Sequence, residues 1–253
     1  VTASPSRDWC AKGIATGLAP DRWYFYRFIA PGGATSPIGR TRTLPEGPSA
    51  SFRLAVFSCS NFGFGWFNAY GHAVEANDVD LAVHLGDYIY EYGAGTYPNT
   101  GQGLADRVLA PATEIVALAD YRLRYATYRA DPDCQRLHQV LPMIAVWDDH
   151  ESANNPWTGG AQNHQSESEG DYALRRKAAL KAYYEWMPVR EPGPGRTRMQ
   201  FWRTYVFGDL ATLTTLETRH TARALQVDYT PWRKAIASHA DARRLEAETI
   251  GAP

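Results

Sequence analysis

Leu81-Ala82-Val83-His84-Leu85-Gly86-Asp87-Tyr88-Ile89-Tyr90-Glu91 is the stretch from which the rest of the chain can be read. Its first five residues form a run of strand length that is apolar apart from one histidine, with no alternation of apolar and polar positions. Such a run is what a strand covered on both faces requires, and parallel sheets are built from strands of that kind. The run then breaks at a glycine into Asp, Tyr and Glu, side chains able to hold a metal ion or meet a phosphate. Two other runs have the same form. Leu54–Ser58 leads into Cys59, Ser60 and Asn61, and Met143–Trp147 leads into Asp148-Asp149-His150-Glu151 and then Asn154-Asn155. In open α/β sheets ligands bind beyond the carboxyl ends of the strands, so three such endings are expected to converge.

Helical patterns separate these strands. Ala117–Tyr128 has apolar residues at helical spacing, and Asp131-Pro132 supplies an N-cap followed by proline at the first helical position, opening a helix toward Val140. Ser166 and Glu169 form a capping-box pattern ahead of Tyr172–Trp186, which Pro188 closes. Thr204–Phe207 and Thr212–Leu216 read as strands around a Gly208-Asp209 turn, and the polar stretch from Pro231 to Ile250 reads as helix. The expected class is α/β with a largely buried sheet. The first 45 or so residues differ. An aromatic run from Trp23 to Phe28, the pair Gly32-Gly33 and a strand around Ile38–Leu44 predict a hairpin. A lone hairpin is marginally stable, so this segment reads as the end of a β-sandwich or as strands added to a neighbouring sheet. Pro45, Gly47 and Pro48 suggest a linker.

Composition removes other classes. The 253 residues carry 26 Lys+Arg against 27 Asp+Glu, a formal net charge of -1, so the basic excess of a generic nucleic-acid binder is missing. Any affinity for phosphate must then come from bound metal. No apolar run is long enough to be a transmembrane segment, and the residues after Val1 do not have the pattern of a secretory signal. Three cysteines, Cys10, Cys59 and Cys134, cannot make a disulfide framework. A G-x-S-x-G elbow and the dinucleotide and P-loop glycine fingerprints are all absent.

The run Asp148-Asp149-His150-Glu151 is electrostatically expensive unless a cation sits among its carboxylates or they turn to opposite sides into water. A thiolate from Cys59 and a phenolate from Tyr90 suit a strongly polarising cation such as Fe(III), with Zn(II) second; Asp87 and Asp149 also suit harder ions, including Ca(II). Two metals sharing one carboxylate can clamp the attacking and leaving oxygens of a phosphoryl transfer. His150, next to Asp149, is placed to meet a phosphate oxygen or the leaving group. Asn154 and Asn155 offer amide groups to a calcium-like ion or a phosphate, or cap a turn, and Arg219 offers a charge to phosphate. His84 reads as a hydrogen-bonded core histidine. His72, His138 and His164 read as surface or structural, and neither His220 nor His239 is assigned to metal. The aromatic loop Phe62, Phe64, Trp66, Phe67 either lines a cleft or packs the core.

Gly86-Asp87-Tyr88-Ile89-Tyr90-Glu91, taken with Trp147-Asp148-Asp149-His150-Glu151 and Ser58-Cys59-Ser60, resembles the PhoD-like alkaline phosphatase family, a branch of the calcineurin-like metallophosphoesterases. The superfamily's G-D-x-x-Y motif is matched by Gly86, Asp87 and Tyr90. Its G-N-H-E motif is altered to Asp148-Asp149-His150-Glu151, and its D-x-H motif is replaced, with Cys59 at the place of the first ligand. The similarity runs from about Arg53 to Arg219. It implies a metallophosphoesterase-type α/β sandwich, represented by its first half over residues 49–253, preceded by the end of an immunoglobulin-like β-sandwich over residues 1–48. It also implies that Cys59 and Tyr90 bind an iron-like ion, that Asp87 bridges to a second site, that Asp149 is a ligand there, and that His150 contacts the phosphate. The implied cofactors are Fe(III) and Ca(II), and the implied reaction is hydrolysis of phosphomonoesters or phosphodiesters by metal-activated water. The implied location is outside the cytoplasmic membrane, whether periplasmic, cell-surface or secreted. The family's remaining ligands lie in a C-terminal half, so the chain reads as a central slice of a longer one. A catalytically incomplete fragment, acting only as a binding or structural module, is the rival reading.

Overall fold

The computed structural model describes residues 1–97, 103–228 and 239–250. Strands β1 (Trp23–Tyr26) and β2 (Gly39–Arg42) pair antiparallel, with Trp23 opposite Arg42 and Tyr26 opposite Gly39. This hairpin has no core of its own. Phe25 is exposed, while Trp23 packs against the main core under the Arg40 guanidinium, 4.2 Å from its ring centroid. The expected linker is pinned in place. The N–H groups of Gly208 and Asp209 donate to the carbonyls of Pro45 and Gly47, and Asp209 Oδ1 accepts from Ser49 N–H at 3.0 Å.

Strands β3 (Leu54–Phe57), β4 (Leu81–His84) and β5 (Met143–Ala145) form a parallel sheet in the order β3-β4-β5. Helix α1 (Asn68–Ala76) connects the first two. Helices α2 (Leu118–Arg129) and α3 (Pro132–Val140) precede β5, and Asp131 caps α3 as expected, accepting from the N–H groups of Asp133 and Cys134. Two-residue strands β6 (Pro156–Trp157) and β7 (Gly160–Ala161) follow, then the short α4 (Ser166–Glu169) and the long α5 (Tyr172–Trp186). Strands β8 (Arg203–Phe207) and β9 (Ala211–Thr215) form a second hairpin, and α6 covers His239–Ile250. The part of the expected terminal helix at 231–238 lies outside the described residues. No helix among the described residues is long and apolar enough to cross a membrane.

The central strand explains the sheet. All four residues of β4 are buried. Leu81 and Val83 join Ile144 and Phe207 on the face covered by β8 and β9, while Ala82 belongs to the larger, tyrosine-rich core beneath the helices. Both faces are therefore filled, as the apolar run demanded. β3 differs from expectation: Leu54 and Val56 are 42% and 58% exposed. It is an edge strand among the described residues, and the β8–β9 hairpin covers β4 and β5 but leaves the outward side chains of β3 open. Ser166 also corrects the sequence reading. It starts the separate four-residue α4, whose Glu169 carboxylate accepts from Gln165 N–H, whereas α5 is capped by Asp171 through Ala173 N–H.

Three histidines are enclosed by this packing. His84 Nε2 lies 2.9 Å from Tyr70 Oη, His138 Nε2 lies 2.8 Å from Tyr88 Oη, and His220 is buried beside Trp147. Burial holds the rings neutral, pushing His84 and His220 down to about 4 and His138 well below its ordinary value. The unfolded chain protonates each ring below about pH 6.5. Between about pH 6.5 and about pH 4 it therefore binds more protons than the folded chain, and stability falls as pH falls. His84 alone contributes about 3 kcal/mol across that window. Urea midpoints are expected to drop steeply below about pH 6.5, and His138→Gln is expected to flatten that limb. A profile level through the window would refute the neutral-core assignment.

Candidate metal centre

The turns that follow β3, β4 and β5 meet at the carboxyl end of the sheet. Cys59 N–H donates to Gly86 O (3.1 Å), Ser60 N–H to Asp87 O (2.9 Å) and Val146 N–H to His84 O (3.0 Å), so the three strand ends are laced by backbone. Cys59, Asp87 and Asn155 adopt left-handed backbone conformations, with φ of 60°, 54° and 48°. Such conformations are uncommon for non-glycine residues and gather at sites where surrounding structure over-determines them. Gly86, with φ 108°, is where the β4 and β5 turns touch: a Cβ there would lie 2.3 Å from Asp148 N.

This backbone aims the predicted side chains at one another. Cys59 Sγ and Tyr90 Oη approach the same oxygen, Asp87 Oδ2, at 3.4 and 3.3 Å. The other oxygen, Oδ1, accepts His150 N–H at 3.4 Å. Ligand atoms of Asp87, Asp149 and His150 all lie within 4.8 Å of one another, and all three residues are buried. Asp87 thus has a thiol and a phenol against Oδ2 and a main-chain N–H against Oδ1, with a carboxylate and an imidazole within 4.8 Å. Burial, with Asp149 and Asp148 adding to it against the pull of His150, raises the Asp87 carboxyl to about 6. Burial also raises Cys59, and raises Tyr90 far above its usual range, with Asp87 adding to both. Three acids held toward their protonated forms around one point make a corner whose ionised state calls for a cation. A thiol, a phenol and carboxylates are the donor types that the mixed set requires. Asp149 goes the other way. Burial pushes it up, but Asn155 N–H (2.9 Å), His150 and Arg219 together pull it below the ordinary carboxylate value.

His150 is held by Glu91, a fully buried carboxylate that orients the imidazole rather than facing a metal or phosphate directly. Glu91 Oε2 meets His150 Nδ1 at 2.7 Å, and Oε1 accepts Asn154 N–H and Asn163 Nδ2 at 2.6 and 2.9 Å. The imidazole stacks on Tyr90 with ring centroids 4.2 Å apart. Burial alone would lower its pKa, but the bond to Glu91 and the charges of Glu91, Asp87 and Asp149 raise it to about 9. Glu151, unassigned from sequence, accepts Tyr88 N–H and Asp148 N–H at 2.7 and 2.8 Å and so ties the β4 turn to the β5 turn. Arg219 Nε donates to Asp148 Oδ1 at 2.7 Å and Nη2 to Asp149 Oδ1 at 3.4 Å, so it neutralises the adjacent acids. Glu217 holds that segment by accepting Trp147 Nε1–H and the N–H groups of Arg219, His220 and Thr221. Asn154 Nδ2 and Asn155 Nδ2 both donate to Gln162 Oε1, which leaves these amides bracing their loop.

The turn carrying Tyr90 has a buried support. Arg124, on the inner face of α2, donates to the carbonyls of Tyr90, Tyr92, Ala110, Pro111 and Thr113. The aromatic loop divides. Phe62 and Phe67 pack in the core, with Arg107 3.5 Å above the Phe62 centroid, whereas Phe64 lies half-buried against Tyr97. His164 bonds to Glu169 and Gly170, His72 is exposed, and His239 is an exposed residue on α6.

The sequence matches the PhoD-like phosphatase family over residues 54–251 and the PhoD-like phosphatase N-terminal domain over residues 1–45. It is 39% identical over 221 residues to alkaline phosphatase D of Bacillus subtilis (strain 168), covering 86% of this chain and 36% of that protein. A solved structure described as "Structure of PhoD" is similar with a TM-score of 0.76 and 37% identity, covering 86% of this chain and 41% of that one. The chain therefore spans about two fifths of the length of these relatives, or less.

Proposed function

Because the chain belongs to the PhoD-like phosphatase family, we propose that it is the part of a metal-dependent phosphoester hydrolase that carries the carboxyl ends of β3, β4 and β5. The observation that carries this reading is the convergence of Cys59 Sγ and Tyr90 Oη on one oxygen of Asp87, with the ligand atoms of Asp149 and His150 within 4.8 Å of that carboxylate. In this reading Cys59, Tyr90 and Asp87 would hold an iron-like Fe(III), with Zn(II) the lesser choice there, and Asp87 and Asp149 would share a harder ion such as Ca(II). Ions so held polarise phosphoryl oxygens and supply a nucleophilic water at neutral pH.

The chain's own residues do the rest. Glu91, at 2.7 Å from His150 Nδ1, fixes the imidazole and favours its protonated form. The remaining nitrogen then has a proton to offer a phosphate oxygen or the departing alcohol. Asp149, kept ionised by Asn155 N–H and Arg219, is the second acid of the centre. Asn154 and Arg219 would contact substrate only by exchanging their bonds to Gln162 and to Asp148 and Asp149. Residues 1–48 are assigned to the end of an immunoglobulin-like sandwich and 49–253 to the first portion of a metallophosphoesterase sandwich. The substrates are phosphomonoesters or phosphodiesters met outside the cytoplasmic membrane.

Chelation followed by add-back tests this. Hydrolysis of bis(p-nitrophenyl) phosphate is expected to vanish on stripping and to return with iron and calcium. Binding of phosphate esters without turnover under any metal loading would favour the rival reading, a module that binds and does not hydrolyse. Turnover by metal-free protein would sink the assignment.

A further inference from the structure

Phe64, Tyr92 and Tyr97 are half-buried rings grouped at the rim of the centre, and neither the core nor the metal assignment uses them. Tyr97 is the pivot. Its ring stands edge-to-face to Phe64 (5.4 Å), Tyr90 (5.5 Å) and Tyr92 (5.2 Å), and its centroid is 6.3 Å from that of His150. Tyr92 lies 5.8 Å from the same imidazole. The rings reach the centre from two different loops, one after β3 and one after β4. The arginine of this region is committed on the core side, where Arg107 covers Phe62, Trp66 and Phe67. Arg219 is committed to Asp148 and Asp149. Among the described residues, the rim beside His150 therefore offers π faces and edges and no second cation for a further anionic group.

We propose that Phe64, Tyr92 and Tyr97 form a subsite for a planar, uncharged aromatic ring carried by the phosphate ester. This rests on the phosphoester reading above and names the ester group that the centre prefers. Stacking on aromatic side chains tolerates any flat π system, so an aryl ester and a nucleobase share the recognising chemistry. The phosphoryl group sits against His150 and the carboxylates, and the ring of its alcohol lies among the tyrosines.

Non-hydrolysable phosphonates test this by binding, using the metal-loaded protein and isothermal calorimetry. Phenylphosphonate is expected to bind roughly tenfold more tightly than methylphosphonate, the scale of one stacked ring. Tyr97→Ala is expected to bring that ratio close to one, as is Phe64→Ala, while Tyr97→Phe keeps it. A nucleoside 5′-phosphonate is the third probe: a gain over methylphosphonate larger than the phenyl gain identifies the ring as a nucleobase, and a smaller one identifies it as a simple aryl group. Equal affinity for phenyl- and methylphosphonate in the unaltered protein overturns the subsite, as does a ratio that Tyr97→Ala leaves unchanged. If no phosphonate binds and bis(p-nitrophenyl) phosphate is not hydrolysed, the underlying phosphoester reading fails and the subsite falls with it.

Discussion

Asp87→Asn is expected to lower phosphodiester hydrolysis by roughly three orders of magnitude or more and to remove the bound metal while leaving the fold intact. The two halves of this expectation come from the same geometry. Asp87 meets Cys59 and Tyr90 through Oδ2 and, within 4.8 Å, the ligand atoms of Asp149 and His150, so among the described residues it stands between both groups of donors. An amide keeps the shape but cannot carry the charge that would balance two cations. The fold does not need that charge. Burial and the neighbouring Asp149 and Asp148 raise the carboxyl to about 6, so its ionised form is unfavourable in the protein without a cation. The stabilising effect of the proton on Asp87 is fully present below about pH 4 and is lost as pH rises through about 6. Well above pH 6 the ionised group opposes the folded state by about 3 kcal/mol, with solvent screening reducing that figure. The Asn variant without metal is therefore expected to melt at or above the metal-free parent at alkaline pH. Elemental analysis, turnover and thermal melts on the same preparation check all three parts. Retained metal with retained turnover would remove Asp87 from the centre.

Arg124→Met is expected to destabilise the folded chain by about 3–5 kcal/mol, the scale for breaking a buried charged hub and leaving its partners unpaired. For a unit of this size that is a fall in melting temperature on the order of 10 °C. The guanidinium is fully buried, and its hydrogen bonds all go to backbone carbonyls: Tyr90 and Tyr92 on one side, Ala110, Pro111 and Thr113 on the other. Methionine fills much of the volume but satisfies none of the carbonyls. Lysine, with one ammonium in place of a planar fork, is expected to recover only part of the loss. The turn that places Tyr90 and Glu91 should loosen with it, so turnover is expected to fall more steeply with temperature than unfolding alone explains. A Met variant as stable as the parent would mean that water takes over the carbonyls.

Much of the architecture was legible because it depends on local pattern. A buried apolar run ending in Gly-Asp or Asp-Asp-His states its place in a sheet, and Leu81–Leu85 and Met143–Trp147 behaved that way, each one or two residues shorter than read and with their polar ends brought together. The openness of β3 was not legible, since the same run Leu54–Ser58 is central or marginal according to what lies beside it. The carboxylates that fix the centre were hidden for a related reason. Glu91 follows Tyr90 in plain sight, but its role is set by His150, Asn154 and Asn163, which lie 59, 63 and 72 residues away. Arg124 did carry a signal. It shares the buried face of α2 with Tyr121, Tyr125 and Tyr128, and a charge among three tyrosines at helical spacing must find its partners inside. The aromatic loop after Cys59 was open to both readings, and it divides between them, Phe62 and Phe67 inward and Phe64 outward.

The closeness at Gly86 also constrains how the centre can change over generations. The atoms nearest to an added Cβ are Asp148 N, Asp148 Cβ and Trp147 C, at 2.3, 2.6 and 2.7 Å, and two of them belong to main chain that no rotamer change can move aside. Even the smallest side chain would push the segment bearing Asp149 and His150 away from the one bearing Asp87. Two stretches some 60 residues apart in sequence are thereby bound to a common fate. A side chain in either stretch can be exchanged without moving the other, but the spacing between the two stretches can be altered only by rebuilding both at once. The missing methyl group at position 86 is what lets the two stretches lie at that spacing.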